Sequence, residues 1–292
     1  MCVEIPDVRV GEPQVCGGVT AFPLFAECSS SLDYLLFDEA TAAGTLAVRE
    51  VPDDSRINRL LAENVGDRPV LFVEGEEVRG GKQDRVLAVS VLAAGKSRTR
   101  LPVACVEPGR WDCESREFTS GSCSPPSLRH VLKDEADYRQ YRLWKTMRRQ
   151  LRRLGIVSPT GNMSDGMDVL REAAEGLQRG LPYAEGASGI AVALGGRVVG
   201  IDLFDKPAIM AKLWDRVVQG VAIDAMEIQD SKCQADGNDV AVKLYMLKSV
   251  RWQRSGSVGL GEAYRRRGDD DTLATALVAG GGLVHLSVSM PT

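Results

Sequence analysis

None of the seven cysteines, at positions 2, 16, 28, 105, 113, 123 and 233, forms a C-x-x-C pair, which removes zinc-knuckle and thioredoxin-type readings. The odd count without pairing fits reduced thiols. Only two histidines are present, His130 and His285, too few for a histidine-rich metal site. No apolar run approaches the ~18 residues that cross a bilayer. The stretch from Met1 to Val10 carries Glu4 and Asp7 and lacks a basic-then-apolar signal pattern. The expectation is a cytoplasmic chain with no membrane partner. There is no excess of positive charge either. The formal net charge is −4 and the pI about 5.5, which disfavours nucleic acid as the main partner. No internal repeat of solenoid period occurs.

What is present is a folding chain of 292 residues, 44% hydrophobic and 26% charged, enough for one large or two ordinary domains. The first 111 residues hold short β-prone runs, Val19–Phe25, Tyr34–Phe37, Leu46–Val51, Val70–Val73, Arg85–Leu92 and Leu101–Val106, separated by Gly, Pro, Asp and Ser. The stretch from Asp112 to about Arg129 is rich in serine and includes Pro125 and Pro126, so residues 112–131 read as a loop or linker, with a functional lid as the alternative. Helical spacing then follows over Lys133–Leu154, with Asp134, Glu135 and Asp137 in the first turns and Arg148, Arg149, Arg152 and Arg153 at the end. A second helix is expected from Ser164 or Asp165 to Gly180, and a third after Asp205 as N-cap, with Pro207 in its first turn. Between them, Ile190–Leu194, Gly195-Gly196 and Arg197–Phe204 read as a hairpin. Strands are expected again at Ala241–Val250, Gly259–Arg265, Leu273–Ala279 and Leu283–Val288. The fold class is therefore α+β: a β-rich antiparallel sheet or sandwich over 1–111, then three helices and a second set of strands over 132–292, able to pack as one compact unit.

Residues 73–85 are the densest polar stretch, and core-like runs flank them on both sides. Strand alternation puts Val70, Phe72, Glu74 and Glu76 on one face, with the two carboxylate-bearing Cα atoms about 6.6 Å apart. Such a pair suits acid/base work or a hard cation. Beyond it, Gly80 and Gly81 permit a tight turn, and Lys82, Gln83 and Arg85 add donors. The glycine and lysine register departs by one residue from a phosphate loop, and Gln83 replaces the hydroxyl that would hold magnesium. A second segment, Leu101 to Trp111, brings Glu107 to a strand end and sets Arg110 beside Trp111, a cation next to an aromatic platform. Three readings stay open: a ligand site, a hairpin with solvated charges, or an internal clamp of Glu–Arg and Glu–Lys pairs.

Other candidates are bland by comparison. Cys105 reads as a buried core thiol, with a nucleophile as the alternative, and His285 as a satisfied core histidine, with a catalytic one as the alternative. The basic side chains of residues 139–153 read as a solvated outer face. Asp202 interrupts an apolar strand; it is either solvent-facing or buried with a partner.

The segments Glu74-Gly75-Glu76-Glu77…Gly80-Gly81-Lys82-Gln83-Asp84-Arg85 and Pro102-Val103-Ala104-Cys105-Val106-Glu107…Gly109-Arg110-Trp111 together resemble the ARPP domain family, named for association with ADP-ribosylglycohydrolase and rhodanese-phosphatase proteins. The likeness extends into Asp202-Leu203-Phe204 and the His285 strand. Where the family has Gly-Ala-Lys-Gln-Asn-Arg, this chain has Gly81 and Asp84, which adds a charge. The resemblance implies a role near NAD or ADP-ribose metabolism and supplies no established reaction. The expected ligand is a nucleotide-like small molecule. Glu74, Glu76 and Glu107 are the candidates for acid/base or metal work. Lys82, Gln83, Arg85, Arg110 and Trp111 are the candidates for substrate contact. The carboxylates leave room for a divalent cation, and the oligomeric state is open.

Overall fold

A computed structural model of the chain describes residues 3–27, 30–52, 56–134, 138–228, 235–256 and 258–291. Cys2, Cys28 and Cys233, and Glu135 and Asp137 of the expected first helix, lie outside the described residues. The architecture is α+β with almost wholly antiparallel pairing; among the described strands only Leu35–Leu36 and Val70–Phe72 run parallel.

The largest sheet orders its strands Val8–Val10, Val19–Ala26, Gly189–Leu194, Arg197–Phe204, Gly282–Ser289, Leu273–Ala279, Glu262–Arg267 and Gln253–Ser255, with Gln14–Cys16 also paired to Val19–Ala26. Strands from both ends of the chain therefore share one ladder, and Leu24 stands opposite Gly189. A six-stranded sheet runs Phe118–Cys123, Glu76–Gly80, Arg85–Leu87, Ser97–Cys105, Arg59–Asn64 and Leu46–Glu50. A three-stranded sheet joins Val91–Ala93, Val70–Phe72 and Leu35–Leu36. The hairpin over 190–204 forms as its alternation predicts, with Gly195 and Gly196 at positive φ.

Eight helices replace the expected three among the described residues. The expected Lys133–Leu154 helix is two, Pro126–Lys133 and Arg139–Arg153. The Ser164–Gly180 helix is likewise two, Met163–Val169 and Arg171–Gly180. The third begins at Pro207, but its N-cap is Lys206; Asp205 turns away to accept from the Tyr34 hydroxyl. Ala241–Val250 is not a strand. It lies in the helix Gly237–Lys248, where Val240, Leu244 and Leu247 fall on one buried stripe and the Asp236 side chain accepts from the Asn238 N–H as cap. The stretch 112–131 holds the strand Phe118–Cys123 and the start of the helix Pro126–Lys133. Buried Phe118 anchors the strand, and Pro126 suits a first helical turn.

Two apolar layers sandwich the large sheet. One is built on Trp214, Leu213 and Val217 of the helix Pro207–Gly220, and the other on the helix Gly237–Lys248 with Trp252. A third core fills the six-stranded sheet around Phe37, Phe72 and Phe118. The polar junction at 73–90 lies where the small sheets meet the large one.

Candidate functional site

The strand Val70–Phe72 ends in a tight turn, in which the Glu76 N–H donates to the Val73 carbonyl at 3.0 Å and Gly75 takes a positive φ. Strand alternation therefore stops at Phe72, and the expected shared face of Glu74 and Glu76 does not form. Glu74 is fully buried and ion-paired to Lys133; it accepts from the Ser287 hydroxyl at 3.2 Å and the Thr275 hydroxyl at 2.7 Å. Glu76 pairs instead with Arg216 and accepts from the Ser120 hydroxyl at 2.6 Å. The two carboxylates are taken up by different cations.

The turn after Glu76–Gly80 is buried against Phe118, contrary to a hairpin with solvated charges. A Cβ on Gly81, whose φ is +53°, would fall 2.2 Å from the Phe118 ring. Asp84 accepts from the Gly80 N–H at 2.8 Å, Arg110 at 3.1 Å and Asn162 at 2.9 Å. Glu107 accepts from the Asp84 N–H at 3.0 Å, Arg110 Nε at 2.8 Å and Thr160 at 3.0 Å. Burial alone would raise the Glu107 carboxyl, but Arg110 holds it below the ordinary range. Gln83 donates to the Glu107 carbonyl at 3.0 Å. Arg85 donates to the backbone carbonyls of Ile57 at 2.9 Å and Gln83 at 2.7 Å, while its Nη2 lies 3.8 Å from Glu50 without a hydrogen bond. Lys82 lies 5.2 Å from the ring centre of Trp111, which is 50% exposed.

The structure thus brings Lys82, Gln83, Arg85, Glu107, Arg110 and Trp111 together, and places Glu74 and Glu76 elsewhere. Most of this charge is consumed internally. Only the Lys82–Trp111 contact faces outward, and Lys82→Ala or Trp111→Ala should each cost about 0.5–1 kcal/mol in a urea titration. A loss several times larger would show that this rim is part of the buried clamp. Cys105 is a buried thiol pushed up by burial, and Cys16, Cys105, Cys113 and Cys123 are all free.

A second polar assembly crosses the large sheet. Gln253, Arg265, Thr275, Ser287 and Asp202 stand opposite one another on five successive strands, so they share one face. The helix Pro126–Lys133 packs on that face and supplies Arg129, which grips Asp202 through both nitrogens, one at 2.6 Å, and donates to Ser287 at 2.7 Å. His285 Nε2 meets Asp202 at 3.1 Å, its Nδ1 meets the Ser90 hydroxyl at 2.7 Å, and its ring stacks on Phe204. Burial would raise Asp202, yet the Arg129 pair holds it far below the usual carboxylate range. Burial pushes the Lys133 ammonium down, only partly offset by Glu74. Asp202 is thus the buried, partnered alternative, and both ring nitrogens of His285 have partners.

Where this row reaches the sheet edge, a cleft of about 430 Å³ opens. Arg139, Arg251, Arg265, Arg266 and Arg267 line it, and Ala88, Val89, Ala274 and Thr275 contribute to its wall. Its one acidic lining residue is Asp134, already paired with Arg142 and with Arg267 at 2.8 Å. Lys133 also lines it, with its ammonium turned inward to Glu74. Arg251 and Arg266 have no ion-pair partner among the described residues. A second cleft of about 460 Å³ carries Arg149, Arg153 and Arg197 but also Asp224 and Glu227, so its charge is closer to balance. Among the described residues no three His, Cys, Asp or Glu side chains form a metal-holding group, and no helix is long and apolar enough to cross a membrane.

A family model described as the ARG and Rhodanese-Phosphatase-superfamily-associated Protein domain, ARPP-1, matches residues 7–289. The chain belongs to this family. No curated protein and no solved structure matches it. The match covers nearly the whole ARPP-1 chain, so clamp, buried row and basic cleft all fall inside the domain.

In this ARPP-1 chain, sequence reasoning passed over Arg129, Lys133, Thr275, Ser287 and the cleft arginines other than Arg139. Two signals were available. Leu128, Val131 and Leu132 have the spacing of a short helix, and Arg265-Arg266-Arg267 is an uninterrupted basic run in a strand-like segment.

Proposed function

We propose that the protein binds a phosphate-bearing small molecule of the nucleotide or ADP-ribose class in the basic cleft, while the junction of Glu107, Arg110 and Asp84 serves as an internal clamp. The single observation that supports the ligand reading is charge: Arg139, Arg251, Arg265 and Arg267 line about 430 Å³ with one carboxylate among them, already paired. That volume lies in the range of small-molecule sites, roughly 300–1,000 Å³. Guanidinium groups match phosphate oxygens in pairs, which favours a diphosphate over a neutral ligand. The family's association with ADP-ribosylglycohydrolases supports the adenosine-diphosphate end of that class. The clamp reading is supported by Asp84, Glu107 and Arg110 being bonded to one another and to Gly80, Gly81, Thr160 and Asn162.

The test is a thermal-shift and calorimetry panel of ADP-ribose, ADP, NAD and pyrophosphate. A ligand at a hundred times its dissociation constant adds about 2.7 kcal/mol of stability. Arg251→Glu combined with Arg265→Glu should remove the shift, and Lys82→Ala should leave it. No shift from any of the four, with the protein folded, sinks the ligand reading.

A further inference from the structure

We propose that Ser90, His285 and Asp202 form an acyl-transfer relay, with Ser90 as nucleophile toward a carboxylic ester of a phosphate-bearing alcohol. The class of alcohol rests on the cleft reading; the relay itself does not.

Asp202, ionised beside Arg129, can only accept, so a neutral imidazole here carries its proton on Nε2 and donates it to Asp202 at 3.1 Å. Nδ1 is then the acceptor a general base requires, and the Ser90 hydroxyl donates to it at 2.7 Å while Ser90 Oγ accepts from the Glu74 N–H at 2.9 Å. Compared with the usual serine-hydrolase arrangement the two ring nitrogens exchange roles, while the sequence hydroxyl, imidazole, carboxylate is kept. Phe204 stacks on the imidazole at 4.2 Å between ring centres and holds its plane. Arg129 is a positioning residue, clamping both oxygens of Asp202. Ser90 alone of the three is partly exposed, and the two residues before it, Ala88 and Val89, line the basic cleft.

In the step proposed, Ser90 Oγ bonds to the ester carbonyl carbon as its proton passes to His285 Nδ1, and the carbonyl π pair moves onto oxygen. On collapse the bond from carbon to the alcohol oxygen breaks, and the departing oxygen takes the proton from Nδ1. Water, deprotonated by the same nitrogen, then releases the acid and restores the serine. Arg129 already balances Asp202, so the imidazolium gains less stabilisation than beside an unpaired carboxylate, and slow turnover is expected.

The experiment treats the full chain with a fluorophosphonate, maps the modified peptide, and follows p-nitrophenyl acetate hydrolysis. Expected are a single adduct on Ser90 and a loss of at least about 100-fold in hydrolysis for Ser90→Ala and for His285→Gln. Melting curves check that both variants fold; the wild-type adduct needs no variant. An unlabelled Ser90 in folded wild-type protein overturns the relay. ADP binding with Ser90 unlabelled likewise overturns it and leaves the cleft standing. Ser90 labelling without ADP binding keeps the relay and removes phosphate from its substrate class.

Discussion

Arg129→Ala should be the most damaging single change in the buried layer, costing about 3–5 kcal/mol in a urea titration. The substitution leaves Asp202 ionised, buried and facing only His285, with Ser287 also short of a donor. The penalty is dominated by that stranded charge and not by the intrinsic worth of the pair, which has a checkable consequence. Arg129→Met combined with Asp202→Leu removes both charges and should recover most of the loss, as buried pairs replaced by apolar groups often do. Equal destabilisation in the single and double variants would show that packing, not charge, accounts for the effect. A single-variant loss below about 1 kcal/mol would mean that Asp202 is solvated.

Asp224 should give the largest pH effect between pH 4 and 7, with a sign opposite to that of Asp202. Burial pushes its carboxyl up to about 6 from an ordinary 3.8, although it accepts from the Ser127 N–H and hydroxyl and from Gln150. Glu227 nearby pushes the same way. A raised carboxyl means that the folded state holds a proton the unfolded chain has released, so stability increases as pH falls from 7 through 6 toward 4. A folded-state pKa one pH unit above its unfolded value corresponds to about 1.4 kcal/mol, which gives roughly 3 kcal/mol across the window. His130, pushed down by burial, works against this gain in the same range. The informative quantity is therefore the difference between wild type and Asp224→Asn, measured by urea midpoint at several pH values. Wild type should gain on the variant as pH drops to about 4; a flat difference removes the assignment. Asp202 contributes in the other direction only below the unfolded carboxylate range, where its ion pair is lost.

The legible parts of the sequence were those governed by local rules. Alternation and a double glycine located the hairpin over 190–204, and the paired segments at 74–85 and 102–111 do meet in space through Glu107 and Asp84. What escaped was set by partners distant in sequence. Nothing near Glu74 announces Lys133, 59 residues away, or Thr275, 201 residues away. Ser and Pro around Pro125 disguised the helix that carries Arg129, because its buried face is only two turns long. Val240, Val242, Tyr245 and Val250 imitated a strand, whereas Ala241, Lys243, Leu244, Met246 and Leu247 are helix formers and Asp236 is a capping signal that favoured the helix. The basic helix shows the same limit: Arg148 and Arg149 are solvated as expected, yet Arg139 at its start belongs to the cleft.

The placement of Val19–Ala26 between Val8–Val10 and Gly189–Leu194 has a consequence for biosynthesis. Leu24 pairs with Gly189, so on the ribosome that strand waits for about 165 further residues, or roughly 10–30 s at ordinary elongation rates. Throughout that interval a nascent, strongly β-prone segment has no ladder on its longer side. Pro23 does not blunt that edge: its carbonyl accepts from the Gly11 N–H at 2.8 Å, so its missing N–H lies on the Val8–Val10 side, whereas Leu24, whose carbonyl accepts from the Ser188 N–H at 2.9 Å, faces the waiting side. A chain stopped before Gly189 should therefore give a larger aggregated fraction during cell-free synthesis than the full chain.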